Sequence, residues 1–172
     1  VTTAFIGLGS NLSDPETQLR TALAALAQLP QTRLLRSSSL YRSAPLLLPG
    51  AASQPDYLNA VAEIETTLEP EALLAELQAL EARQGRVRDQ RWGPRTLDLD
   101  LLLYGDRVIA TAELTVPHAG LYERNFVLYP LAEIVGGQAA SLAIPGWGTL
   151  EALLAGCPRG SLEKITSIPD QP

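Results

Sequence analysis

Asp98 and Asp100 are separated by one residue in the run Thr96-Leu97-Asp98-Leu99-Asp100-Leu101-Leu102-Leu103-Tyr104. Alternate residues of a strand share a face, so the two carboxylates project together, about 7 Å apart along the strand. Leu97, Leu99, Leu101 and Leu103 have the other parity and are expected to face a core. Two uncompensated acids so placed repel and raise each other's pKa. A hard divalent cation resolves the conflict, and carboxylate oxygens are what Mg²⁺ prefers. Arg83, Arg86, Arg88, Arg91 and Arg95 stand just upstream, and guanidinium forks suit phosphate oxygens. Acids for magnesium beside arginines for phosphate describe a metal–nucleotide site. In isolation, alternating Asp and Leu equally describe an amphipathic strand with a solvated or salt-bridged polar face. The flanking Trp92-Gly93-Pro94-Arg95 and the arginine cluster favour the site.

The other reactive residue types narrow the chemistry. His118 is the sole histidine and Cys157 the sole cysteine of 172 residues, so no Ser-His-Asp triad has an obvious base and no His-rich metal site can form. A lone histidine is often structural, although a loop position after Val116-Pro117 also suits a phosphate contact. Paired Asp and several Arg, without His or Cys chemistry, point to phosphoryl transfer, where the protein positions groups and stabilises charge. Gly7-Leu8-Gly9-Ser10-Asn11 lacks the spacing and the Lys-Ser/Thr ending of a P-loop. Its glycines are expected to let the end of a first strand turn tightly and approach a ligand closely. Tyr57 and Asn59 share a strand face and offer a ring and an amide to the edge of a flat heterocycle, with Phe126 as an opposing ring. The same residues fit an ordinary core aromatic and a surface amide.

The net charge is −6 and the pI about 4.8. Non-specific nucleic-acid binding rests on spread phosphate contacts, so an acidic chain with one basic patch is expected to bind a small polyanion and no nucleic acid. One cysteine excludes an internal disulfide framework and suits a reducing cytoplasm. No apolar stretch approaches the roughly 20 residues of a membrane span. No leader-like segment opens the sequence, so neither export nor a membrane partner is expected.

Positioning these groups requires a compact frame. Ala4, Ile6 and Leu8 alternate with Phe5 and Gly7 as a first strand. Ser13-Asp14-Pro15-Glu16 starts a helix with an apolar stripe at Leu19, Leu23, Leu26 and Leu29, ended by Pro30. A second strand is expected over 33–42, a long loop over 45–55 and a third strand over 57–67. Glu69-Pro70-Glu71 opens a second helix carrying Leu73, Leu77 and Leu80, with Gly85 as its stop. The 96–104 strand follows, then helical pieces near 121–134 and 149–155. The order strand, helix, strand, strand, helix, strand is the ferredoxin-like βαββαβ split unit, an α+β fold with a mainly antiparallel sheet. One domain over 1–160 and a tail over 161–172 are expected. Segments 46–55 and 86–94 are expected to close over bound substrates.

Together these blocks resemble the 6-hydroxymethyl-7,8-dihydropterin pyrophosphokinases of folate biosynthesis. The matching runs are 7–12, 41–46, 54–60, 85–105 and 114–134, and Arg91-Trp92-Gly93-Pro94-Arg95-Thr96-Leu97-Asp98-Leu99-Asp100 is the most specific of them. The resemblance implies a three-layer α/β/α variant of the ferredoxin-like fold acting as a monomer. It implies transfer of the β,γ-pyrophosphoryl group of MgATP to the pterin hydroxymethyl, with release of AMP and with two Mg²⁺ ions held by Asp98 and Asp100. It assigns Arg86 and Arg95 as catalytic, phosphate-gripping arginines and Arg88 and Arg124 as further contacts. Gln78, Leu101, Leu114, Thr115 and His118 match ATP-site positions. Ser43, Leu46, Tyr57, Asn59, Trp92 and Phe126 match the pterin pocket and its lid, with Trp92 at the ATP as well and Asp98 at the pterin. Glu113, where relatives carry Arg, and Ala119, where an aromatic is common, depart from the pattern and put a nucleotide contact at each place in question. The competing expectations are a metal-dependent nucleotidyl transferase or phosphohydrolase, and a ferredoxin-like metal- or nucleotide-binding module without catalysis.

Overall fold

The computed structural model describes residues 1–11, 14–44, 49–50, 55–85, 97–139 and 141–166. Strand β1 (Thr2–Ser10) leads through α1 (Pro15–Leu26) to β2 (Thr32–Ser37), β3 (Leu40–Ser43) and β4 (Tyr57–Thr66), then through α2 (Pro70–Gly85) to β5 (Asp98–Tyr104). A hairpin of β6 (Ile109–Ala110) and β7 (Thr115–Val116) precedes α3 (Asn125–Val135). A second hairpin of β8 (Ala143–Ile144) and β9 (Gly148–Thr149), helix α4 (Leu150–Ala155) and β10 (Glu163–Thr166) follow. The main sheet runs β10-β3-β4-β1-β5, with β2 also paired to β4, and its described pairings are all antiparallel. This is the ferredoxin-like α+β arrangement.

Local chemistry sets the helices. Asp14 caps α1 by accepting from the Thr17 backbone N–H (3.4 Å) and hydroxyl (2.7 Å). Leu19, Ala22, Leu23 and Leu26 of α1 and Leu73, Leu77 and Leu80 of α2 are buried against Ala4, Ile6, Leu8, Leu99 and Leu101 of the sheet. Each buried leucine there contributes roughly 1.5–3 kcal/mol. Leu29, expected within the first helix, is buried just beyond its end. On the opposite face, Leu128, Leu131 and Ile134 of α3 and Leu150 of α4 cover Phe5, Val61 and Leu103. Helices on both faces make the three layers.

Four local expectations are corrected. The strand expected over 33–42 is two strands, because the backbone turns aside at Ser38 and Ser39. Ser38 exchanges bonds with Val61, donating its N–H to the carbonyl (2.8 Å) and accepting the Val61 N–H on Oγ (2.9 Å). The Ser39 N–H leaves the sheet for the Glu133 carboxylate (3.0 Å). In β5, Ile6 pairs with Leu101 and Phe5 with Leu103, so Leu102 is an extra residue in a bulge. A bulge reverses the alternation beyond it. Leu103 therefore faces α3 and Tyr104 takes the α1/α2 side. Finally, Gly7 and Gly9 make no turn; both lie inside β1 and pair on both sides. Glu163–Thr166, within the expected tail, pair with β3 at the sheet edge. No helix among the described residues is long and apolar enough to cross a membrane.

Candidate active site

At one end of the α3 face the packed hydrocarbon gives way to a cleft. Gly9 lies between Asn59 of β4 and Asp98 of β5, and Gly7 between Val61 and Asp100. A Cβ on Gly9 would stand 3.3 Å from Asn59 Oδ1, and one on Gly7 would stand 3.3 Å from the Leu102 side chain. Missing side chains leave the β1 backbone bare, a floor on which a flat molecule can lie. The space above it, about 320 Å³, is bordered by Ser43, Tyr57 and Asn59 on one side, Asp98 and Asp100 on another, and Arg124, Phe126 and Val127 from α3 and its approach. That volume suits a small-molecule ligand.

Asn59 is buried, and its amide nitrogen donates to the Tyr41 carbonyl (3.3 Å) and to Ser43 Oγ (2.8 Å). A carbonyl can only accept, so the nitrogen must be the atom facing Tyr41, and Oδ1 remains toward Gly9 as a fixed acceptor. Asn59 is thus a buried amide, not a surface one, and it borders the cleft together with Tyr57. Burial, and then the charge of Asp98, push the Tyr57 phenol above its ordinary pKa. Across the cleft the Arg124 guanidinium lies 5.8 Å from the centroid of the Phe126 ring, a cation–π arrangement.

The bulge in β5 supplies the next contact. Its Leu102 carbonyl accepts the His118 N–H (3.0 Å) and so carries the histidine loop to the strand. His118 Nδ1 accepts from the Gly120 N–H (3.1 Å), so the neutral ring bears its proton on Nε2, 3.9 Å from Asp100 Oδ1. Burial holds the imidazole below its ordinary pKa; Asp100 pulls it up and Arg124 pushes it down. On the other side of β5, Glu81 of α2 accepts the Leu99 N–H (2.7 Å) and pins the strand between the two aspartates. Residue types alone do not single out Glu81. Its only signal is its place beside Leu77 and Leu80 on the sheet-facing side of α2.

Among the described residues no group of three or more His, Cys, Asp or Glu gathers as a metal cage. Asp98 and Asp100 border the same cleft. That donor set fits Mg²⁺, which keeps several waters and takes one or two carboxylates together with substrate phosphates. Gln78 is exposed on α2 and does not border the cleft. The Leu101 and Leu114 side chains are buried in the α1/α2 core, and Thr115 is exposed beside Leu114 on β7. Any contact of Leu101 with a nucleotide therefore falls to its main chain. Glu113 and Ala119 are exposed. Leu46, Arg86, Arg88, Trp92 and Arg95 lie outside the described residues, as do the two closing segments apart from 49–50 and 55.

The sequence profile of the 7,8-dihydro-6-hydroxymethylpterin-pyrophosphokinase (HPPK) family matches residues 5–136. The chain belongs to that family. It is similar to the 2-amino-4-hydroxy-6-hydroxymethyldihydropteridine pyrophosphokinase of Pseudomonas aeruginosa, 48% identical over 161 residues that cover 94% of this chain and 95% of the relative. The enzyme of the same name from Haemophilus influenzae is 54% identical over 143 residues, 83% of this chain and 85% of the relative. Among solved structures, wild-type Plasmodium falciparum HPPK-DHPS superposes with a TM-score of 0.67 at 12% identity, covering 90% of this chain and 41% of that one. An HPPK-DHPS in complex with substrates gives 0.66 at 10% identity, covering 91% and 45%. Those likenesses show the fold, and this chain spans less than half the length of either HPPK-DHPS chain.

Proposed function

We propose that this chain transfers the pyrophosphoryl group of MgATP to the hydroxymethyl group of 6-hydroxymethyl-7,8-dihydropterin, releasing AMP, in tetrahydrofolate biosynthesis. Membership of the HPPK family supports the reaction. The observation that carries the site assignment is the juxtaposition of the Asn59 amide and the Asp98–Asp100 pair across the bare floor of Gly7 and Gly9.

The pterin lies on that floor with a donor edge toward Asn59 Oδ1, between the rings of Tyr57 and Phe126, and Ser43 holds the Asn59 amide. Asp98 and Asp100 would hold two Mg²⁺ ions, which when bound would neutralise triphosphate charge and make the β-phosphorus more electrophilic. The pterin hydroxyl oxygen bonds to the β-phosphorus and gives its proton to the Asp98 carboxylate, while the bond from that phosphorus to the α,β-bridging oxygen breaks and its electron pair leaves with AMP. Because such a transition state is loose, the alcohol needs no strong base. Arg124 from the cleft wall, with Arg86, Arg88 and Arg95, stabilises charge on the phosphate oxygens. ATP extends along the β5 edge toward Gln78, Leu101, Leu114, Thr115 and His118, while Leu46 and Trp92 close over the pterin. A single catalytic domain, with the Glu163–Thr166 strand part of its sheet, acts as a monomer in the cytoplasm, a reducing compartment that the lone cysteine suits.

Incubation with MgATP and the pterin, followed by nucleotide separation, tests the reading. AMP in step with pterin diphosphate is expected. ADP as the nucleotide product would overturn it, and an absence of turnover would restore a binding module.

A further inference from the structure

Helix α3 carries a polar stripe that the reaction above leaves unused. Asn125, Tyr129 and Glu133 recur at every fourth position and so stack along one side of the helix. Each of them holds the C-terminal segment. The Asn125 amide donates to the carbonyls of Pro158 (3.3 Å) and Arg159 (2.8 Å). Tyr129 Oη donates to the Cys157 carbonyl (2.8 Å), and the Arg159 guanidinium lies 5.7 Å from the Tyr129 ring centroid. The Glu133 carboxylate stands 3.9 Å from Lys164 Nζ. From there the chain joins β3 as its edge partner, with Cys157 and Leu162 buried along the way. The segment thus ties the helix that begins beside Arg124 and Phe126 to the strand that ends at Ser43. Those elements are two walls of the cleft.

We propose that Asn125 is a positioning residue for the reaction: by clamping the carbonyls of Pro158 and Arg159 it fixes the first turn of α3, and with it the places of Arg124 and Phe126. The inference rests on reading the cleft as the pterin and ATP site. Asn125 itself does not border the cleft, while its two chain neighbours do. The N-cap of α3 is Arg124, which makes no side-chain hydrogen bond to the helix. An uncapped first turn frays readily, and the N-cap side chain supplies no lock. The bonds from Asn125 to a segment 33 and 34 residues away supply it instead. A ring that lines a pocket, displaced by a fraction of an ångström, loses contact with its ligand even when the fold survives.

The test uses full-length wild type, Asn125→Asp, Asn125→Ala and Tyr129→Phe. Aspartate keeps the size of the side chain but removes the amide donor. Tyr129→Phe removes a hydrogen bond to the same segment one turn farther from the cleft. AMP release is measured against pterin and ATP concentration, with thermal unfolding of each protein alongside. Both Asn125 variants are expected to raise the KM for the pterin about tenfold, the scale of one lost ordering hydrogen bond, with kcat within about twofold of wild type. Tyr129→Phe is expected to shift unfolding comparably and leave that KM near wild type. An unchanged KM in folded Asn125 variants overturns the inference, and so does an equal rise in Tyr129→Phe. Failure of both Asn125 variants to fold also overturns it, because the contact would then be structural. Absence of AMP from wild type sinks the functional reading and this inference with it, whereas AMP from wild type with an unmoved KM sinks this inference alone.

Discussion

Along β1, Ala4, Ile6 and Leu8 face α1 and α2, while Phe5, Gly7 and Gly9 face α3. The first side is hydrocarbon from Ala4 to Leu8. The second begins in the same way, with Phe5 packed beside Val61 and Leu103, and then loses its side chains at Gly7 and Gly9. Opposite those glycines the neighbouring strands carry Asn59, Asp98 and Asp100. The candidate site is therefore a gap left in the second core. The difference teaches how a single strand serves both tasks: the sealed side supplies the burial that holds β1, β4 and β5 in register, and the open side then places acids and an amide at fixed separations.

The contrast is most exposed to Asp98→Ala and Asp100→Ala. Each is expected to lower AMP release by at least about a thousandfold. Urea unfolding should be unchanged or slightly more resistant, since like-charge repulsion is relieved. Near wild-type rates at low Mg²⁺ in either variant would show that the open side is not a metal site. Leu101→Ala reverses the expectation on the sealed side. Removing a side chain that is 3% exposed should cost about 2–5 kcal/mol of unfolding free energy. Turnover per folded molecule should stay close to wild type, because only the Leu101 main chain remains to meet a nucleotide. A large fall in kcat with little loss of stability would break the division between the two sides.

Gly9→Ala sharpens the floor itself. The added methyl would stand 3.3 Å from Asn59 Oδ1, so the KM for the pterin should rise about tenfold, as overpacking of this size implies. The KM for ATP should move much less, and steady-state kinetics in both substrates separates the two.

The smallest effect concerns the far end of α3, where chemistry is not expected. Burial works to raise the Glu133 carboxyl, but hydrogen bonds from Ser39 and Tyr41 and the charge of Lys164 outweigh it and hold the group below its ordinary value. The unfolded chain then takes up the proton first. Stability from this carboxylate is present above the ordinary value, about 4.3, and is lost as pH falls through the folded one. Tyr41 has the opposite sign: burial, then its bond to Glu133, raise the phenol. Its contribution is complete below the ordinary phenol value of about 10 and fades as pH climbs past it. Glu133→Gln should therefore flatten the acid limb of the unfolding midpoint below about pH 5 and leave the KM values unmoved. An acid limb identical to wild type would show that the carboxylate carries none of it.

Much of the frame was legible because it is written in local rules. The alternation of Ala4, Ile6 and Leu8, the Asp14 cap and the stripe of Leu73, Leu77 and Leu80 each depend on neighbours a few residues away. The pairing of Asp98 with Asp100 on one face was legible for the same reason. The break at Ser38 and Ser39 was not, since the Ser39 N–H is drawn to a carboxylate 94 residues later. The bulge was not legible either. Leu101-Leu102-Leu103 are identical to the eye, and only pairing with Ile6 and Phe5 decides which leucine is extra.

Sequence alone determined the residue types and spacings of this protein: two acids of one parity, glycines in a first strand, an aromatic and an amide two apart, and the family run around Trp92 that names the chemistry. Tertiary structure decided what those residues face. Gly9 became a floor only when Asn59 and Asp98 were paired on either side of it, and Asn59 became an oriented acceptor only when Ser43 and Tyr41 took its nitrogen. His118 reached Asp100 only through a carbonyl that the bulge set free. A side chain's type is fixed by its codon, but its hydrogen-bond partners and solvent exposure belong to whichever distant strands pack beside it, and those set its chemistry.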